Sequence, residues 1–192
     1  MDKSLLSEQA QSNLVELATY LKSHHKAWVK ANTSGGKDEL VGFDLWSFFY
    51  PSSENEEHKC GSTACAIGHF AVMRGYEAKE VGVYVTENTV GEDGFISDGN
   101  RMRWADFSDS IIGVASDGRQ RIIWNWIFSS HWVRFDNSAL GVAARIEYLL
   151  EHGIPYEFLA IEISDMDAQH ARHIINRYSH IKDALEAECA GG

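Results

Sequence analysis

Between Asn137-Ser138 and Gly153-Ile154-Pro155 the chain carries Leu140, Val142, Ala143, Ile146, Leu149 and Leu150 at helical spacing. A helix with so wide an apolar face has to be covered by other elements, which restricts the chain to folds that enclose a helix in a core. Its flanks mark both ends. Asn137-Ser138 supplies a side-chain acceptor for the first orphaned N–H groups, and Gly153 followed by Pro155 stops the run.

Other helices are available to cover it. Leu14, Leu17, Ala18 and Leu21 predict a helix over residues 7–30, with Val15 and Trp28 widening its stripe and Ser12 as the hydroxyl cap of the main run. The breaker cluster Asn32-Thr33-Ser34-Gly35-Gly36 ends it. His24 and His25 sit near its C-terminal end, where the dipole favours a cation, and read as surface residues. Ser108-Asp109-Ser110 reads as a capping cluster, and Asp117 caps a segment holding Ile122, Ile123, Trp126 and Ile127. A last helix is expected after Asp165 or Asp167, with Ile174, Ile175, Tyr178, Ile181 and Leu185 inward.

Strand signal is thin. Val81 to Thr86 alternates with β-branched residues, and Met102 to Phe107 is its candidate partner. The aromatic-dense segment 39–50, closed by Pro51, reads as a short helix capped by Asp44 or as an extended cover over the core. With 44% apolar residues among 192 and only two prolines, nothing divides the chain. The expected fold class is mainly α (α+β): a single compact helical domain over 1–192 with a small two- or three-stranded β element.

Charge narrows the function classes. The formal net charge is −11, which argues against direct binding to a nucleic-acid duplex. No apolar run approaches a bilayer span, and the first residues, Met1-Asp2-Lys3-Ser4, are too polar for a signal peptide. Three cysteines are an odd number for a secreted disulfide framework. The expected location is the cytoplasm, with no membrane partner and the oligomeric state open.

Reactive side chains concentrate in His58-Lys59-Cys60-Gly61-Ser62-Thr63-Ala64-Cys65-Ala66-Ile67-Gly68-His69, which follows a polar loop and precedes an apolar helical segment ending at Gly75. Three chemistries compete for it. Zinc would use His58, Cys60, Cys65 and His69, suitable ligand types that are crowded too closely to converge on a tetrahedron; no metal and no cofactor is therefore assigned. A nucleophile would be Cys60 at a helix N-terminus, where a thiol is acidified, with His131 as base and Asp136 or Asn137 as its orienter. Cys-Gly-Ser before an apolar helix resembles the opening of papain-like active sites, and this reading makes the chain a cysteine hydrolase. The third reading makes Cys60 and Cys65 small buried hydrophobes at a helix start with Ser62 or Thr63 as the cap, open to an anion. Ser62, Thr63 and His69 would then bind the ligand, Trp104 (with Trp124 and Trp132) would stack on a base, and Arg101, Arg103, Arg119 and Arg121 would meet phosphates.

The run Cys60-Gly61-Ser62-x-x-Cys65-x-x-Gly68-His69 resembles a motif of small uncharacterised phage and bacterial proteins, Cys-Gly-Thr-x-x-Cys-x-x-Gly followed by His or Trp. The stretch from Asn137-Ser138 through Ala143-Ala144-Arg145-Ile146 to Gly153-Ile154-Pro155 resembles that family's later helix. The resemblance implies a phage-type protein that engages a host protein or sequesters a small anionic, nucleotide-like ligand, with host interaction or anti-defence as its role. Trp in place of His69 within the family implies that this position is not an obligatory ligand.

Overall fold

The computed structural model describes residues 5–33, 42–43, 49–50, 63–74, 78–80, 95–96, 104–129, 136–156, 158–159, 180 and 182–191. Through these residues the fold is mainly helical. Helix α1 spans Glu8–Thr33, α2 Ala66–Met73, α3 Trp104–Phe107, α4 Arg121–Phe128 and α5 Ala139–His152, with a last helix, α6, over 182–190. The backbone pairs only briefly. β3 (Thr63–Ala64) lies between β1 (Gly42–Phe43), parallel to it, and β2 (Phe49–Tyr50), antiparallel; β4 (Ala78–Glu80) pairs with β5 (Phe95–Ile96). Segments of two or three residues do not amount to the small β element expected from the sequence. The predicted strand 81–86 lies outside the described residues, and 104–107, expected as its partner, is helical.

The centre of the fold is the seam between α1 and α5. From α1 it receives Ala10, Leu14, Leu17, Ala18 and Leu21, and from α5 Leu140, Val142, Ala143, Ile146 and Leu149, all buried. Lys22 reaches across to Glu147, Nζ to Oε1 at 2.7 Å, at the edge of the seam. Helix α5 begins and ends where its flanks place it. The Ser138 hydroxyl accepts the Gly141 N–H at 3.2 Å, and Gly153, at φ 77°, returns its N–H to the Leu149 carbonyl at 2.9 Å.

Helix α1 starts at Glu8, close to the expected residue 7, but its cap differs. Ser7, not Ser12, is the cap, and its Oγ accepts the Ala10 N–H at 3.1 Å. Ser12 is an exposed residue inside the helix, and Val15, expected in the apolar stripe, is 54% exposed. The first turn brings Ala10 against Gly113, and Leu6 into the core.

Ser108 is likewise not a cap. Helix α3 continues into one π-helical turn, Ser108–Ile112, which Gly113 closes at φ 87°. The buried Ser108 hydroxyl donates to the Val114 carbonyl at 2.7 Å. Asn13 of α1 completes this end from a distance. Its Nδ2 donates to the Ile111 and Ile112 carbonyls at 2.9 and 3.1 Å, and its Oδ1 accepts from Gln9 and from Arg74. Arg74 in turn pairs with Glu16 at 2.6 Å and lies over the Phe70 ring, which joins the end of α2 to α1.

A 3-10 turn at Gly118–Gln120 leads into α4, and Asp117, expected as the cap, contributes its carbonyl to Arg121 N–H rather than its side chain. Gln120 clips this turn to the start of the chain, with Nε2 donating to the Leu5 carbonyl at 2.8 Å. At the other end, α6 rests on one buried side chain, Leu185, and on Lys182, which binds Asp136.

Candidate functional site

Helix α2 begins at Ala66, so the residue at its N-terminus is Cys65. The Cys65 backbone is extended (φ −76°, ψ −179°) and no side chain caps the helix. This corrects the expected start near Cys60 with a hydroxyl cap from Ser62 or Thr63. The physical reason lies in the composition of the first turns. Ala66, Ile67, Gly68, Phe70 and Ala71 are apolar all round, and everything from Cys65 to Ala71 is buried. A helix of that kind is positioned by enclosure, not by an exposed cap. The thiol at the start of α2 is the buried Cys65; Cys60, the expected nucleophile, lies outside the described residues.

Of the other residues singled out, His58, Cys60, Ser62, Arg101, Arg103 and His131 lie outside the described residues, and Thr63 is described only as backbone in β3. Trp104 is wholly buried, edge-on to Phe107 with ring centroids 6.0 Å apart, and so is no surface platform for a base. Trp124 packs edge-on to Phe128, while Arg119 and Arg121 are exposed.

Asp136 is fully engaged with structure. One carboxylate oxygen accepts the Ser138 N–H at 2.8 Å and the other meets the Lys182 ammonium. Burial pushes its carboxyl up, but the bonds from Lys182 and Ser138 outweigh that and hold it below the usual range. Lys182 is pushed up by its bond to Asp136 against its own partial burial.

The concentration of titratable rings lies elsewhere, between α1, α2 and β1. His69 is wholly buried on α2, and His24 of α1 is 7% exposed. Their ring centroids are 4.5 Å apart with the planes at 66°, an edge-to-face contact. Phe43 of β1 stacks on His69 at 5.4 Å, and Tyr20 lies 6.0 Å from His24 and 5.8 Å from His69. Burial pushes the Tyr20 phenol up, so it is neutral through the physiological range. His24 is expected at the surface from its place beside His25 near the helix end, and its burial corrects that. The spacing Leu14, Leu17, Leu21, His24 continues the apolar stripe by steps of three and four, and that signal places it inside.

A second buried polar group escaped notice. Arg145 of α5 is wholly buried, with Nη1 donating to Asn137 Oδ1 at 3.2 Å and Nη2 to the Ile127 carbonyl at 3.3 Å. Its own carbonyl accepts the Trp126 indole N–H at 2.9 Å. These bonds tie the end of α4 to the start of α5. An arginine inside an Ala-Ala-Arg-Ile run carries no local sign that it faces inward.

Among the described residues no group of three or more His, Cys, Asp or Glu side chains stands close enough to hold a metal ion. Cys65 and His69, the described members of the zinc set, are one helical turn apart, with His69 N–H bonded to the Cys65 carbonyl at 2.8 Å. Among the described residues no helix is long and apolar enough to cross a membrane. Compared with models of protein families, with curated proteins and with solved structures, the chain matches none.

Proposed function

We propose that the protein is a non-catalytic, phage-type binding protein that engages a host protein in the bacterial cytoplasm, acting in host interaction or anti-defence. The observation that carries this reading is the placement of charge. The chain has a net charge of −11, and Glu8, Glu16, Asp106, Asp109, Asp117, Glu151, Asp183, Glu186 and Glu188 are all exposed. Such a surface steers a basic protein partner toward it and repels nucleic acid and anionic lipid. A nucleotide-like ligand is less well supported, because His69 and Trp104, expected among its contacts, are buried in the core.

The test is capture from a bacterial lysate at low and moderate salt. One basic protein retained at low salt and released as salt rises is the expected result. The triple variant Glu8→Lys, Asp183→Lys, Glu188→Lys, which alters three exposed acids, should weaken that capture several-fold. A tightly held nucleotide in the purified protein, or the same protein captured equally by wild type and variant at all salt concentrations, would overturn the reading.

A further inference from the structure

We draw no further inference here: the strongest candidate, the largely exposed helix end 182–190 held by Leu185, by the Lys182–Asp136 pair and by the Cys189 thiol on the Lys22 carbonyl at 3.7 Å, carries nothing because no described residue shows what its release would uncover or what would take its place.

Discussion

Helices α5 and α2 both start from a short polar-looking run, and the two starts are built in opposite ways. At α5 the local chain does the work. Asp136 takes the Ser138 N–H, Ser138 takes the Gly141 N–H, and the Asp136 backbone folds down over Gly141. At α2 no side chain caps the first turn, and burial on all sides holds Cys65 through Ala71 in place. A start made by hydrogen bonds between neighbours in sequence is written into that sequence. A start made by enclosure depends on residues far away and cannot be read where it occurs.

The sharpest way to break this comparison is Gly141→Ala. In an open helix the exchange stabilises by up to about 1 kcal/mol. Here an added Cβ would sit 2.7 Å from the Asp136 carbonyl carbon and 2.8 Å from its Cβ, and closer still to the carbonyl oxygen. Backbone cannot swing aside as a side chain can, so a loss of about 3 kcal/mol is expected in urea unfolding. A neutral or stabilised variant would show that the Asp136 loop does not fix the start of α5.

Asn13→Ala comes next, at about 2 kcal/mol. It removes the donors to two carbonyls of the π-helical turn and an acceptor for Arg74. This helix end is closed by a residue some hundred positions earlier, so it belongs with α2 in being set from afar. Thermal unfolding of the variant tests that; a change below about 0.5 kcal/mol would mean that water replaces Asn13 without loss.

What was legible divides along the same line. The apolar faces of α1 and α5, the Ser138 cap and the Gly153 stop follow from spacing and local hydrogen-bonding chemistry, and the structure places them there. The inward turn of His24 was legible in principle, since it continues the 3-4-3 spacing, but the dipole argument and its neighbour His25 pointed outward. The burial of Arg145 depends on Asn137 just before α5 and on Ile127 of α4, and the π-helical end at Ser108 on Val114 just beyond it. Ser108 and Val114 are six residues apart and Asn137 and Arg145 eight, yet spacing alone does not show that these side chains turn toward each other. The Cys60–His69 run resembles a site because reactive residue types are crowded there, yet of its described part Thr63–Ala64 is the short strand β3 and Cys65 to His69 forms a buried helix start.

Caps give a milder test. Ser7→Ala and Ser138→Ala should each lose about 1 kcal/mol, because each hydroxyl accepts an N–H of a first turn. Ser12→Ala, at an exposed position within α1, should change stability by less than about 0.5 kcal/mol. Denaturant midpoints of the three variants order them directly. Equal losses at Ser7 and Ser12 would mean that the Ser7 hydroxyl is not what caps α1.

The smallest effect belongs to the Asp136–Lys182 pair, which joins the α5 start to α6. The Asp136 carboxyl lies below its ordinary range in the folded chain, so its contribution is present above the unfolded value of ~3.9 and is lost as pH falls through the folded one. Lys182 is raised, so its contribution is complete below ~10.4 and is lost as pH rises through the folded value. Between about pH 5 and 10 the pair therefore adds nothing to the slope of stability against pH. Lys182→Met should reduce stability by at most about 1 kcal/mol across that window, since the pair is partly solvated. It leaves the Ser138 N–H bonded to Asp136, so the α5 cap should survive while α6 loosens. Hydrogen exchange separates the two: faster exchange in residues 182–190 with α5 unchanged is expected, whereas faster exchange at both would make the α5 start depend on a distant lysine and erase its contrast with α2.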